Sequence, residues 1–417
     1  MKQTFLARAA LAFILACGGG LAAAASESLP TNFSYSSQYT IKYDDWDLLL
    51  SSAVLEVGLS DRRPAGRASL RGTATRIRHG NYSATAYEGN RVLFDEFKQP
   101  HRDNMLAIRR DLEAVPDFMP LENFSKNEQL AYWLNLHNVA VMLEVANEYP
   151  IKKVKRLYAG RTSVWDKKTM SVGGVPTSIK DIEEHVVANW NSPLVLYGFF
   201  MGAVGGPNIR DHAFTGDNVI QSLRVNATEF VNSLRGFKLW SGQGRVSDHY
   251  RIGAHYFPDF GEDIKAHMLV FANPDTERDL HKAGSFRIRN YDWGIADLKN
   301  GDTYNGGSFN TSSGALGFFI QNEPSASGGS GAAPLNSAVN DAFVNDPAFN
   351  KFNLGGKISP QAKALLRAVK TRNERRRDGT VTVEEFVGGE GSRIVRKGSD
   401  GEDTAGRGKE DEEKPVI

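Results

Sequence analysis

One stretch restricts the fold more than any other: SKNEQLAYWLNLHNVAVMLEVANEYP, residues 125 to 150. Ser125 and Glu128 stand in the S-x-x-E spacing of a helix start, apolar residues run from Leu130 to Val145, and Pro150 forbids continuation. Apolar positions fall on almost every side of this predicted helix, so it cannot lie on a surface with one face in water. It demands a central place with other elements packed round it. Its polar members come in pairs on shared faces, Asn135 with Asn138 and Trp133 with His137. An unpartnered buried amide costs about 1–3 kcal/mol. The asparagines therefore either brace backbone packed against the helix or line a cleft.

Around this centre, YDDWDLLLSSAVLEVG (43–58) and residues 103–114 have helical spacing, and VWDKKTMSVGGVPTS predicts a short hairpin. SIKDIEEHVVANW predicts a helix capped by Ser178, and TGDNVIQSLRVNATEFVNSL another that starts near Thr215 or Asp217. From 236 to 293, FKLWSG, RVSDHYRIGAHYF and SFRIRNYDW are rich in aromatic and β-branched residues and read as short antiparallel strands. Helices first and strands later predict an α+β fold, a helical core with a small antiparallel sheet. A chain of 417 residues with 41 % hydrophobic content can build such a core in a main domain over 26–300. Residues 301–387 read as a linker with a C-terminal helical extension, SPQAKALLRAVKTRNERRR, and 388–417 as a flexible, disordered charged tail.

The first 25 residues read as a secretory leader, with Lys2 and Arg8 ahead of a short apolar run and Ala23 and Ala25 at a cleavage position. The chain is thus expected in the periplasm or secreted. The alternative is lipid attachment at Cys17, and membrane association is expected only in that case. Cys17 is the only cysteine, so a mature chain has no disulfide, thiolate metal site or cysteine nucleophile. Lys and Arg number 50 against 49 Asp and Glu, so no whole-molecule field argues for nucleic acid, and none is expected as a partner. The local exception is DRRPAGRASLRGTATRIRHG, where Arg62, Arg63, Arg67, Arg71, Arg76 and Arg78 form either a basic surface for phosphate or an acidic polymer, or a solvated connection.

Candidates for chemistry are dispersed. Asp181, Glu183, Glu184 and His185 share one helix, with Asp181 and His185 four apart, but the second histidine of an H-E-x-x-H metal helix is missing. His212, flanked by Arg210 and Asp211, follows the Gly205-Gly206-Pro207 turn of MGAVGGPNIRDHAF. His249 and His255 lie in the strand-like region, and no serine stands in a G-x-S-x-G elbow, so the pattern gives no serine triad. ERRRDGTVTVEE (374–385) matches the second half of a calcium loop, with Asp378 and Glu385 as the residues a cation would use, but Glu374 and Arg376 break its first half. No metal site and no cofactor are assigned.

Several pieces together resemble the bacterial, secreted branch of the family called domain of unknown function 547: EGNRVLFDEF, NEQLAYWLNLHN, VGG with SIKDIEEH, the GP turn with DHAFT, HYFPDFGED and NYDW, covering roughly 85–298 in order. The resemblance implies a fold rather than an activity. Members typically carry Cys-Ala-Ser-x-x-Cys-Pro at the turn; alignment on Pro207 puts Met201 and Gly206 at the two cysteines and Ala203 at the serine. His137 stands where the family has Tyr, and DIEEH has one residue more than the family's D-I-E-H. No thiol mechanism carries over. Two functions remain open. One is a non-catalytic envelope module binding an unknown ligand or protein around Trp133, Asn135, His137, Asn138, Gly205, Gly206 and Pro207. The other is a cysteine-independent hydrolase or transferase using His185 or His212 with Asp181 or Glu183. A calcium-responsive C-terminal loop is a third reading.

Overall fold

The computed structural model describes residues 28–65, 83–160 and 163–301, with Leu365 and two short strand segments beyond them. From the N-terminal side come α1 (Asp44–Ala53), β1 (Val54–Leu55), β2 (Arg91–Val92), α2 (Gln99–Phe118) and α3 (Lys126–Glu148). α3 is the expected central helix. Every residue from Glu128 to Leu143 is buried, because no side of this helix carries the polar stripe that water requires. Ser125 caps it, its Oγ accepting from the Glu128 N–H at 3.2 Å. The reciprocal half of a capping box does not form. The Glu128 carboxylate instead accepts from the backbone of Ile41 at 2.8 Å and of Gly216 at 2.9 Å, fastening two distant segments to the helix start.

α4 (Lys155–Tyr158) leads to the expected hairpin, β3 (Met170–Val172) antiparallel to β4 (Val175–Thr177). Its two turn residues, Gly173 and Gly174, have φ of 57° and 81°, the left-handed pair that a tight two-residue hairpin needs. α5 (Ile179–Asn189) has a full capping box, with Ser178 and Asp181 each bonding the other's backbone N–H. α6 (Val219–Val231) follows, then β5 (Phe237–Trp240), β6 (Gln243–Ser247), α7 (Phe260–Leu269), α8 (Pro274–Lys282) and β7 (Ser285–Asn290). Beyond residue 301, β8 (Val381–Val383) pairs antiparallel with β9 (Ile394–Arg396).

The α+β class holds, with a correction between 236 and 293. Two helices interrupt the expected strands, and β7 joins β6 in parallel while β5 joins it antiparallel. A parallel neighbour needs a crossover of a dozen or more residues, which α7 and α8 supply. Much of RVSDHYRIGAHYF forms 3-10 turns at Asp248–Arg251 and Ala254–Tyr256 rather than strand. The predicted helix at 103–114 extends over all of α2, with Pro116 inside its last turn.

The end of the described domain, residues 292–298, is a strap bonded on several sides. Val204 and Gly205 donate to the carbonyls of Gly294 and Asp292, both at 2.8 Å, and Ala296 donates to Gly202 at 2.8 Å. Val154 donates to Trp293 at 3.0 Å, Val92 to Ala296 at 2.9 Å, and Leu298 back to Val92 at 3.1 Å. The leader with Cys17, the arginines from Arg67 to Arg78, Asp378, Glu385 and the tail except β9 lie outside the described residues. Among the described residues no helix is long and apolar enough to cross a membrane.

Candidate functional site

The Met201–Pro207 turn is buried throughout. A Cβ on Gly205 would stand 2.5 Å from the Asp292 nitrogen, so glycine here admits the strap rather than a ligand. Arg235, 2 % exposed, crosses beneath the turn: Nη1 donates to the Gly206 carbonyl at 2.5 Å, and Nη2 donates to Asn208 Oδ1 at 2.9 Å and pairs with Glu229. The Ser247 hydroxyl donates to the Gly205 carbonyl at 3.2 Å. The backbone groups of this turn are largely committed to the protein itself.

The asparagines of α3 are spent in the same way. Asn135 donates to the Phe214 carbonyl at 2.7 Å and accepts from the Phe214 N–H at 3.1 Å. Asn138 donates to the Gly198 carbonyl at 3.0 Å and accepts from the Phe200 N–H at 3.0 Å. Both clamp the loops on either side of the turn to the central helix. Trp133 is fully buried and its ring packs on His185, centroids 4.6 Å apart. Among the described residues His185 meets no carboxylate and its Nε2 is enclosed without a hydrogen-bond partner; burial lowers its pKa to about 4. Asp181, the proposed orienter, serves the α5 cap and pairs with Lys168. Partial burial pushes its pKa up, but the bonds from Lys168 and Ser178 outweigh that and hold it low.

The His–carboxylate contact that does form beside α3 was not among the expected pairs. His137 Nε2 lies 3.2 Å from Glu183 Oε1, and its Nδ1 lies 2.9 Å from Asn138 Oδ1. The backbone partners of Asn138 fix which end is oxygen. Both ring nitrogens thus lie within hydrogen-bond distance of side-chain oxygens. Glu183 Oε2 accepts from the Trp165 indole at 3.0 Å. This chain of groups is enclosed, with His137 at 0 % exposure. A second contact lies elsewhere: His212 Nδ1 is 3.0 Å from Asp211 Oδ1, and Nε2 is 3.4 Å from Ser222 Oγ on α6.

Above Trp165 an aromatic wall approaches the surface. Tyr158 packs on Trp165 with centroids 3.9 Å apart and on Trp293 at 5.1 Å, and Tyr291 packs on Trp293 at 4.4 Å. Tyr158, Tyr291 and Trp293 are half-buried, and the Tyr158 hydroxyl donates to the Met201 carbonyl. Burial above all, then the neighbouring phenol and the Glu183 charge, hold the Tyr158 pKa well above its usual value; burial and Glu183 do the same for Tyr291. Among the described residues the Tyr291 hydroxyl has no hydrogen-bond partner, although it is enclosed. The sequence pattern did not single out these rings as a group, because Tyr158 and the Tyr291–Trp293 pair come from two distant segments that only the fold joins. Among the described residues no group of three or more His, Cys, Asp or Glu could hold a metal ion.

This is an α+β scaffold in which a buried, clamped turn supports a half-open aromatic wall. Residues 121–231 match the model of a family described as "Protein of unknown function, DUF547". The matched segment contains α3, α5, the turn, His137, Trp165 and Glu183, and lies inside the broader 85–298 span of the resemblance. No curated protein and no solved structure matches the chain.

Proposed function

We propose that this chain is a ligand-binding module of the cell envelope, taking a ring-bearing ligand, a glycan or an aromatic side chain of a peptide, against Tyr158, Tyr291 and Trp293. The observation that carries the reading is the half-buried state of three contiguous large rings beside a turn whose own polar groups are committed. Aromatic faces offer apolar area at little conformational cost and keep a polar edge for orientation. The envelope location rests on the leader. A titration of intrinsic tryptophan fluorescence with neutral oligosaccharides and aromatic peptides tests the site. Trp293→Ala is expected to weaken binding at least about tenfold, the scale of one lost aromatic contact, at an unchanged melting temperature. Equal binding by the variant would refute it.

A second reading, a cysteine-independent hydrolase, draws on His212. Its ring stands between the Asp211 carboxylate and the Ser222 hydroxyl, the order of orienter, base and nucleophile in serine hydrolases. Ser222 is buried on α6 rather than raised on a sharp turn, which is why the aromatic wall is preferred. A fluorophosphonate probe that labelled Ser222, and failed to label His212→Ala, would favour this reading over the first.

A further inference from the structure

The outer face of the β5–β6–β7 sheet is a second surface, independent of the aromatic wall. Lys238 is directly opposite Arg245, and Arg245 directly opposite Arg287, so three cations stand side by side across three strands. Neighbouring strands lie about 4.8 Å apart, giving a row about 10 Å long. Arg289 extends it by the two-residue period of β7, while Phe237, Val246 and Phe286 turn the other face to the core. Like charges placed directly opposite destabilise a sheet. Here no direct pairing offsets them: among the described residues none of the four cations has a hydrogen-bond or ion-pair partner, Glu88 and Asp292 act on Lys238 only at longer range, and Arg245 Nε is enclosed without a partner.

Two neighbours add to the pattern. The Arg245 guanidinium lies 4.8 Å from the ring centroid of Trp240, which is 56 % exposed. At the β5 edge, Lys238 lines a cavity of about 280 Å³ with Arg62 and Arg278. The carboxylates there are taken, Asp279 by Arg62 and Asp275 by Arg278, so that among the described residues Lys238 makes no ion pair in this cavity. Burial first, then Arg245, lowers the Lys238 pKa, against the weaker opposing pull of Glu88 and Asp292.

We propose that this face binds an anionic polysaccharide, with the cation row on its acidic groups and Trp240 against a sugar ring. Single-stranded nucleic acid is normally held by several aromatic platforms, one for each successive base. This face offers one ring, with Gln243 and Ser285 beside it as partners suited to hydroxyl groups. The proposal does not depend on the aromatic wall.

The test uses fluorescein-labelled heparin and, separately, a labelled oligothymidylate, with binding followed by anisotropy at several salt concentrations. Arg245→Gln/Arg287→Gln/Arg289→Gln is expected to weaken heparin binding at least about tenfold and to flatten its salt dependence. Lys42→Gln/Lys153→Gln/Lys155→Gln removes the same charge elsewhere and is expected to stay within about twofold of the native protein. Equal losses in the two variants would reduce the effect to net charge, and no loss in the first would remove the site; either overturns the proposal. Tighter binding of oligothymidylate than of heparin, lost in the first variant, would assign the face to nucleic acid instead. Should the triple variant fail to fold, Arg287→Gln and Trp240→Ala carry the test, each expected to weaken heparin binding about threefold. Trp293→Ala should leave heparin binding unchanged.

Discussion

His137 and Glu183 meet at 3.2 Å although they belong to different helices, α3 and α5, and their contact is sealed from water by Trp165 and Phe199. Removing one side of a buried hydrogen-bonded contact leaves the other polar group unsatisfied, at a cost of about 1–3 kcal/mol. Glu183→Gln should therefore destabilise strongly, and His137→Gln/Glu183→Gln should cost clearly less than the two single changes together. Urea unfolding of the four proteins in this cycle measures the coupling; strict additivity would mean the pair is not one unit.

The clamped turn makes a steric prediction. Gly205→Ala forces a Cβ against the Asp292 backbone and should cost about 1–3 kcal/mol, as overpacking does. Gly160 has φ of 95° and nothing within 4 Å of an added Cβ, so Gly160→Ala meets only conformational strain, about 1 kcal/mol. Thermal melts should rank Gly205→Ala below Gly160→Ala. The reverse order would show that the turn is free to shift.

Stability should fall on acidification. Burial lowers the pKa values of His185, His249 and His267 to about 4 from an ordinary 6.5, so the unfolded chain takes up protons first as the pH drops. Their contribution is complete above about 6.5 and is lost as the pH falls toward 4. Asp297 opposes them. Burial raises its pKa to about 7, so its share of stability is present at low pH and is lost as the pH rises through that value. Three groups outweigh one. Unfolding free energies measured from pH 7.5 to 4.5 should decline, and the decline should steepen in Asp297→Asn; a flat profile would contradict the assignment.

Met201 and Gly206 hold the positions at which the family resemblance implies cysteines. A Cβ built on Gly206 lies 3.0 Å from the Met201 Cβ, somewhat closer than the roughly 3.5–4.5 Å of disulfides, a gap that a small opening of the turn supplies. Met201→Cys/Gly206→Cys in a Cys17→Ser background should thus oxidise to an intramolecular disulfide. Thiol titration and the two-proton mass difference report it; two persistently free thiols would show that the turn cannot bring these positions into bonding geometry.

What could be read from residues alone followed the strength of the local signal. α3 was legible because its apolar pattern and Ser125 cap agree, and α5 because Ser178 and Asp181 form its capping box. α8 was missed because it is mostly polar and buries only Thr276 and Leu280, so no apolar stripe marks it. Asn273 capping the helix, with Pro274 at its first position, was the overlooked signal. The candidate site was less legible. Asn135 and Asn138 were singled out, but only their partners show that they serve as clamps. His137 and Glu183 are 46 residues apart, and no spacing rule connects them. The outward row of Lys238, Arg245 and Arg287 depends on a parallel register that an antiparallel reading of these strands hides.

The strap at 292–298 also decides when folding can finish. It supplies acceptors for the N–H groups of Val92, Val154, Val204 and Gly205, and Ala296 reaches back to Gly202. A chain emerging from the ribosome has made all of α3 and the clamped turn long before these partners exist. Until roughly residue 300 has been made, the middle of the domain holds backbone groups that water must serve. Folding of the domain is thereby delayed until its last segment has been synthesised.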